Sequence, residues 1–247
     1  VVGTPGRTND LIRRKKLIIG NIDRLILDEA DEMLSMGFKE DLEAIIQQTP
    51  KKKQILLFSA TMTQKVVGVT KKYMKNSLEI AVARVNRAAD NVEHIYYVVK
   101  PRDRYEVVKR IADMNPDIYG IVFCRTRRET KDIAIKLMND HYNAVTIHGD
   151  LSQSERDDVM RRFRKGQLQI LVATDVAARG LDVEDLTHVI NYNLPDDDEI
   201  YIHRSGRTGR AGKKGVSIAI INGRNMRKLK DIERTSKISF KKKNVPS

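Results

Sequence analysis

The sequence contains an apolar run that ends in carboxylates, Arg24-Leu25-Ile26-Leu27-Asp28-Glu29-Ala30-Asp31. Such a run is typical of a strand buried in a parallel sheet, and these sheets bind ligands at the carboxyl ends of their strands. We expect Asp28 to hold Mg²⁺, directly or through water, and Glu29 to polarise an attacking water. Asp31 is spaced to join a network with neighbouring loops. The alternative, carboxylates that only favour the start of a helix, does not account for the apolar run before them.

Short apolar runs alternate with longer amphipathic stretches through the rest of the chain. Residues 42–46 and about 64–73 have helical spacing, and residues 55–58 read as a strand between them. The rhythm resumes near Glu93, with strands expected at 95–99, 121–124, 144–148, 170–174, 188–192 and 216–221. Ser152, with Glu155 three residues on, predicts a capping box that begins a helix. This βαβ rhythm predicts an α/β protein with parallel sheets.

The rhythm divides the chain into two domains. Residues 1–81 form the first, and residues 82–92 are polar and without a clear period, which predicts a linker. Residues 93–235 form a complete second domain, and residues 236–247 a basic, loosely ordered tail.

The chain begins with Val rather than Met, and residues 1–7 read as a strand end that runs into a turn at Pro5-Gly6. We therefore expect the first domain to be truncated at its N-terminus. A domain that has lost strands should have an exposed sheet edge, an uncovered apolar face and poor order.

The composition points to a polyanionic partner. The formal net charge is +13 and the pI is near 9.7, and each Lys or Arg that neutralises a phosphate releases a condensed counterion. Any one basic run, such as residues 51–53 or 241–243, is more simply a solvated loop. Aromatic residues make up 5% of the chain and Trp is absent, which disfavours stacking on bases. We expect contacts to the nucleic-acid backbone that are independent of sequence.

The same composition disfavours other classes of protein. Cys124 is the single cysteine, which excludes an internal disulfide and a thiolate metal cluster. The sequence has no apolar run of eighteen residues and no signal-peptide pattern at its start. We therefore expect a soluble, cytoplasmic protein that does not enter membranes.

A segment rich in glycine and arginine lies at 201–212, Tyr-Ile-His-Arg-Ser-Gly-Arg-Thr-Gly-Arg-Ala-Gly. Glycine lets the backbone approach a ligand, and arginine presents a planar, permanently charged fork to phosphate oxygens. Phosphoryl transfer needs such charges where negative charge develops, so Arg207 and Arg210 are candidate arginine fingers. The alternative, a basic solvated loop, has no need of this tight spacing.

Two further segments follow expected strands. Residues 59–61, Ser-Ala-Thr, would lie beside the carboxylate turn if the two strands are neighbours, although alone they read as an N-cap. In residues 173–182, Ala-Thr-Asp-Val-Ala-Ala-Arg-Gly-Leu-Asp, Thr174 is placed to bind a backbone phosphate and Asp182 to accept from a ribose hydroxyl. Asp175 and Arg179 have the spacing of an intrahelical ion pair.

Together, these segments and Thr4-Pro5-Gly6-Arg7 resemble, in order and spacing, the motif set of DEAD-box ATP-dependent RNA helicases of superfamily 2. The resemblance spans nearly the whole chain. It implies two RecA-like parallel-sheet domains, the first truncated here and the second complete, that close on ATP and single-stranded RNA. The implied activity is RNA-stimulated ATP hydrolysis coupled to local unwinding or remodelling of RNA.

The resemblance also implies roles for individual residues. The magnesium and water-activating pair would be Asp28 and Glu29. The link between hydrolysis and strand separation would be Ser59 and Thr61. His203 matches the residue that joins the water to Asp31. The second domain's share of the ATP site would be Gly180, Asp182, Arg207 and Arg210. Contacts to the RNA backbone would come from Thr4, Gly6 and Arg7 in the first domain and from Arg125, Gly149, Arg156 and Thr174 in the second.

Two segments of the family's motif set are absent from this sequence. It has no Gly-x-x-x-x-Gly-Lys-Ser/Thr segment, because residues 209–214 have the wrong spacing and Lys214 stands where Ser or Thr is needed. The adenine-recognising Q motif is also absent. Since a P-loop cradles the phosphates of ATP, we expect this chain alone to be inactive. The full-length parent would be the enzyme, acting as a monomer.

Two other interpretations stay open. A non-catalytic module for RNA binding or partner docking would use the second domain alone, but it would not need the carboxylate pair together with the arginine-rich loop. A helicase or translocase acting on DNA would differ only in substrate. The 2′-OH is the group by which a protein that reads the backbone distinguishes RNA.

Overall fold

In a computed structural model, the chain divides into two compact units, Val1–Ala81 and Val82–Ser247. The structure describes residues 1–81, 91–178, 183, 185–209 and 212–246. Each unit is built on a parallel sheet, which confirms the predicted α/β class. Most of the predicted linker, 82–92, lies outside the described residues, and its last residue, Val92, is the first residue of a strand.

The first unit consists of α1 (Pro5–Arg13), β1 (Arg24–Leu27), α2 (Ala30–Ser35), α3 (Lys39–Gln48), β2 (Gln54–Leu57) and α4 (Gln64–Tyr73). β1 and β2 are parallel neighbours. The core of this unit is formed by Leu27, Leu34, Leu42, Ile46, Val66 and Val69. At the sheet, Ile26 is 58% and Phe58 is 55% exposed.

The start of the chain differs from the prediction. The turn expected at Pro5-Gly6 is instead the beginning of α1, with Pro5 as its first residue. Proline is favoured there, because its missing N–H would have no partner in the first turn and its φ already suits a helix. The N–H of Thr8 donates to the carbonyl of Thr4 and closes this turn. The prediction of a strand end and a turn was therefore wrong.

The strands of the second unit are β3 (Val92–Val98), β4 (Gly120–Phe123), β5 (Ala144–Ile147), β6 (Ile170–Ala173), β7 (His188–Asn191), β8 (Gly215–Ile221) and β9 (Lys241–Lys242). The helices are α5 (Arg104–Met114), α6 (Arg127–Asn139), α7 (Gln153–Arg164), α8 (Asp175–Ala178), α9 (Asp198–Ser205) and α10 (Met226–Ser236), with 3₁₀ turns at Pro101–Asp103 and Gly223–Asn225. The described strands form one parallel sheet in the order β5-β6-β4-β7-β8-β3-β9. The predicted capping box at Ser152 and Glu155 is confirmed at the start of α7.

Helices cover both faces of this sheet. Along β4, Ile121 and Phe123 pack into a cluster with Phe163 of α7, whereas Val122 packs into another with Leu137 of α6. In this doubly wound arrangement, the carboxyl ends of the strands form the edge that binds ligands. Across the described part of the chain, every helix is too short or too polar to cross a membrane.

The C-terminal segment packs against the second unit, which corrects the prediction of a loosely ordered tail. Ile238 and Phe240 are buried, and β9 pairs in parallel with β3. The Phe240 ring contacts the rings of Tyr201 and His94. Alternate residues of this segment are apolar and face the core, a short pattern that the lysines around it obscure in the sequence.

Candidate functional site

The carboxylates of the first unit lie at the C-terminal end of β1. Glu29 has a left-handed backbone with a φ of 51°, and its N–H donates to Oδ1 of Asp28 at 3.0 Å. Both residues are exposed. A residue other than glycine at positive φ is strained, and such strain is concentrated at functional sites. The turn therefore presents two carboxylates at the edge of the sheet.

Asp31 connects this turn to the loop that follows β2. Its Oδ2 accepts from the N–H and from the hydroxyl of Thr61, each at 2.8 Å. The Ser59 hydroxyl donates to the Thr61 carbonyl at 2.6 Å. Asp31 is only 6% exposed, and hydrogen bonds are stronger where water is excluded. The two loops are thus neighbours, as expected if their strands are adjacent, and Asp31 joins them.

The donor set at Asp28 suits a magnesium ion that arrives with phosphates. Mg²⁺ is bound in proteins by one or two carboxylates, with waters and substrate phosphates as its other ligands. Asp28 is exposed, and the Glu29 N–H occupies only one of its oxygens. Within the described ranges, no group of three His, Cys, Asp or Glu side chains could hold a metal by itself. Waters and phosphate oxygens would supply the remaining ligands of a metal at Asp28.

The three N-terminal candidates for RNA binding lie at the start of α1. Thr4 is the N-cap residue, and the exposed Arg7 pairs with Asp10 at 3.2 Å. A Cβ added to Gly6 would lie 3.6 Å from Oδ2 of Asp41, an ordinary contact. Backbone N–H groups at the start of a helix favour anions, so this position suits a phosphate.

Three candidates of the second unit follow the carboxyl ends of neighbouring strands. Arg125 follows β4, Gly149 follows β5 and Thr174 follows β6. Because these strands are parallel and adjacent in the order β5-β6-β4, the three residues lie at one edge of the sheet. Arg156 is in the first turn of α7, and its Nη2 donates to the Ala177 carbonyl of α8 at 2.6 Å. Arg156 therefore also holds α8 in place.

Two further cations flank Asp150, the residue after Gly149. Arg127, at the start of α6, hydrogen-bonds the Asp150 carboxylate, and Nζ of Lys131 is 3.5 Å from it. The bond from Arg127 lowers the pKa of the Asp150 carboxyl. The Arg127 side chain is 63% exposed and that of Lys131 is 47% exposed, so this part of the edge is basic.

Arg204 is 3% exposed and joins several elements at the same edge. Its Nε and Nη2 donate to the two carboxylate oxygens of Asp175, at 2.6 and 2.8 Å. Its Nη1 donates to Oδ1 of Asn191 at 2.9 Å and to the Asn193 carbonyl at 2.7 Å. The guanidinium lies 4.8 Å from the centre of the Phe123 ring. One side chain therefore connects α8, α9 and the ends of β4 and β7.

This arrangement bears on the ion pair predicted between Asp175 and Arg179. Arg179 lies outside the described residues, and the Asp175 carboxylate is bound by Arg204 through both oxygens. A bidentate pair between a carboxylate and a buried arginine is held by two charge-assisted hydrogen bonds. Asp175 is thus used for packing between helices.

In the segment rich in glycine and arginine, residues 201–205 form the last part of α9, and residues 206–209 form the turn after it. His203 lies in the last turn of α9, and Arg207 follows the end of the helix. Thr208 is buried, and its hydroxyl donates to the Leu186 carbonyl. A Cβ added to Gly215 would lie 2.0 Å from Oγ1 of Thr208, so glycine is required at that position. Thr208 and Gly215 together hold the turn that carries Arg207.

The sequence pattern assigns no individual role to Arg204, Asn191 or Thr208. Asn191 offers a signal, because an amide at the end of an otherwise apolar strand requires a buried partner. For Arg204, nothing in the sequence separates a buried arginine from an exposed one. Three predicted nucleotide-site residues, Gly180, Asp182 and Arg210, lie outside the described residues.

Comparison with known proteins agrees with the motif order. The DEAD/DEAH box helicase model matches residues 1–69, and the helicase conserved C-terminal domain model matches residues 103–212. The DEAD-box ATP-dependent RNA helicase CshA of Bacillus cereus is 43% identical over 247 residues, which are 100% of this chain and 47% of that protein. The chain therefore spans about half the length of the curated relatives it matches.

Solved structures give the same result. S. cerevisiae Dbp5 bound to RNA and ADP BeF3 matches with a TM-score of 0.89 and 34% identity, covering 99% of this chain and 65% of that one. The C-terminal domain of the DEAD-box protein Dbp5 matches with a TM-score of 0.60 and 30% identity, covering 64% of this chain and 93% of that one. From its motif order, its two parallel-sheet units and these matches, the chain belongs to the DEAD-box helicase family.

Proposed function

We propose that the full-length parent of this chain is an ATP-dependent RNA helicase, in which RNA-stimulated ATP hydrolysis drives local unwinding or remodelling of RNA. The bonds of Asp31 carry the proposal, because its buried carboxylate holds both the N–H and the hydroxyl of Thr61. A change at the carboxylate turn is thereby transmitted to the Ser-Ala-Thr loop. A protein that only binds RNA has no use for this link, nor for the exposed Asp28 and Glu29 beside it.

Each residue at the nucleotide has a distinct role in this proposal. Asp28 binds Mg²⁺, which when bound neutralises charge on the phosphates. Glu29 orients the attacking water and polarises it, and His203 joins that water to Asp31. Arg207 and Arg210 stabilise the negative charge that develops during phosphoryl transfer. The remaining nucleotide contacts are those of Gly180 and Asp182.

The RNA contacts in this proposal are to phosphate and sugar, and so do not depend on base sequence. Ser59 and Thr61 connect them to hydrolysis. We assign residues 1–81 and 93–235 to two RecA-like domains, and we propose that the parent acts as a monomer in the cytoplasm. The residues assigned to RNA are Thr4, Gly6, Arg7, Arg125, Gly149, Arg156 and Thr174.

ATP turnover with and without single-stranded RNA tests this function, on this chain and on the full-length parent. We expect RNA-stimulated turnover only from the parent and not from this chain, because this chain has no P-loop segment to hold the phosphates. Glu29→Gln in the parent should lower kcat by about 100-fold or more, the usual contribution of a general base. The exposed Glu40 supplies the control, since Glu40→Gln should leave turnover unchanged.

Three results would change the proposal. RNA-stimulated turnover by this chain alone would overturn the requirement for the P-loop. A parent that binds RNA and never hydrolyses ATP would be a binding module. Equal stimulation by DNA of the same sequence would favour a helicase or translocase acting on DNA, because the 2′-OH would then play no part.

A further inference from the structure

Positive charge is concentrated near the C-terminus of the chain. Residues 224–243 contain nine Lys and Arg against two carboxylates, so more than half of the net charge of +13 lies in this region. The region is folded, since it comprises α10 and the segment that buries Phe240. It lies outside the segments assigned to ATP and RNA above.

Helix α10 separates its apolar and basic side chains. Leu229 and Ile232 are buried, and the helical period places Arg227, Lys230 and Arg234 on the opposite side. All three are exposed. We call these three residues the basic stripe, which extends for about 10 Å along the helix axis at 1.5 Å per residue. Burial of the other face fixes the direction in which the stripe points.

The carboxylates near the stripe leave most of its charge available. Asp231 pairs with Arg234 at 3.2 Å. Glu233 accepts the N–H of Phe240 at 2.8 Å, which folds the C-terminal segment back along α10. Within the part of the chain that the structure describes, neither Arg227 nor Lys230 forms an ion pair. The stripe is thus a fixed row of charges rather than a flexible tail.

The chemistry of the surface favours duplex RNA over other polyanions. Phe240 is the one aromatic residue in 222–246 and it is buried, so this surface cannot stack on unpaired bases as single-strand binders do. Duplex RNA presents phosphates and 2′-hydroxyls while its bases stay paired. A membrane surface would require a free apolar helix face, and that of α10 is buried. We propose that the basic stripe binds the phosphates of an RNA duplex that flanks the strand held at the sheet edge.

This inference rests on the proposed helicase function, and its test uses the full-length parent with two RNAs. One is a short single strand, and the other is the same strand extended by a duplex. The stripe variant combines Arg227→Gln, Lys230→Gln and Arg234→Gln. A matched variant removes three exposed charges from the first unit through Lys51→Gln, Lys52→Gln and Lys75→Gln. Circular dichroism of both variants verifies that the fold is kept.

We expect only the stripe variant to lose affinity for the extended RNA. The loss should be about tenfold at low salt. The negative slope of log K against log salt should become shallower by about 2 to 3, one unit or slightly less for each phosphate contact that is lost. Affinity for the short single strand should stay unchanged. Both effects follow from the loss of phosphate contacts to the duplex alone.

Other outcomes would overturn the inference. If the stripe variant lost equal affinity for the two RNAs, the stripe would not be specific for the duplex. If the two variants lost equal affinity for the extended RNA, the effect would come from net charge rather than from the stripe. Unchanged affinity for the extended RNA, with loss of binding to polyglutamate, would assign the stripe to an acidic protein. Failure of the helicase proposal itself would be seen separately, as an unmodified parent whose ATP turnover does not respond to the short strand.

Discussion

At the scale of single residues, Arg204 links segments that carry different parts of the candidate site. Its guanidinium binds Asp175, the residue after the candidate RNA contact Thr174. Along the chain, Arg204 comes directly after His203, which is assigned to the nucleotide. A buried ion pair adds little net stability over an apolar pair, but removing one partner leaves the other charge uncompensated. Arg204 therefore constrains the geometry of the edge more than it stabilises the fold.

We expect Arg204→Met to lower the free energy of unfolding of the second unit by about 3 kcal/mol or more, because Asp175 would lose its partner in a partly buried place. Arg204→Lys should lower the free energy of unfolding by less, since lysine keeps the positive charge and lacks only the two parallel N–H donors of the guanidinium. Urea denaturation followed by circular dichroism measures both. Arg161→Met, which removes an exposed pair with Asp158, should cost no more than about 1 kcal/mol. A loss as small as this in Arg204→Met would contradict the assignment.

His94 makes the stability of the second unit depend on pH. Burial lowers its pKa to about 4, and its Nδ1 is 2.8 Å from the Tyr201 hydroxyl. An unfolded histidine titrates near pH 6.5, so between pH 6.5 and pH 4 the unfolded state binds more protons than the folded state. The free energy of unfolding should therefore fall as the pH drops through this window, by up to about 3 kcal/mol.

The variant His94→Gln tests this dependence. Denaturation midpoints measured at pH 7 and pH 4.5 should differ less in the variant than in the unmodified chain. Some dependence will remain, because burial also lowers the pKa of His188 and of His148. An identical change in both proteins would mean that His94 does not contribute.

At the scale of elements, the turn after α9 is fixed by close contact with the start of β8. A Cβ on Gly215 would meet Oγ1 of Thr208 and, at 2.6 Å, the backbone nitrogen of Gly209. We expect Gly215→Ala to destabilise the second unit by about 1 to 3 kcal/mol, the usual cost of overpacking. It should also slow ATP turnover by the parent, since the displaced turn carries Arg207. Gly223→Ala is the control, because a Cβ there has open space; similar thermal unfolding of both variants would refute the expectation.

In this chain, apolar runs predict where the helices and strands lie. They predict less well where each element ends and which residues it contacts. Strands β4 and β6 are buried along their whole length, so few polar positions interrupt the pattern that reveals them. The lysines around β9 obscure its apolar pattern in the sequence. The Pro-Gly pair at the start of α1 predicts a turn more readily than a helix. Strand ends also place Asp28 and Thr174. The contact of Arg204 with Asp175 depends instead on the strand order β6-β4-β7, which periodicity does not determine.

At the scale of the whole molecule, the two units differ in internal support. The first has a two-stranded sheet and a core cluster of six buried residues, whereas the second has a sheet of seven described strands and larger clusters on both faces. Segments with fewer buried contacts open more often. Limited proteolysis followed by mass spectrometry should therefore cut residues 1–81 sooner than residues 93–235. Equal resistance of the two units would show that the first is as well ordered as the second.

The position of β3 in its sheet sets a time scale for folding during synthesis. β3 is the first strand that the structure describes in the second unit, but it pairs with β8 and β9, the last of the described strands. Roughly 120 residues separate β3 from β8, so at about 5 to 20 residues per second the ribosome needs roughly 6 to 24 seconds to supply the partner. Throughout that interval Val92, Ile95 and Tyr97, all buried in the finished sheet, have no strand beside them. A chaperone that protects the nascent chain would be needed most at this strand.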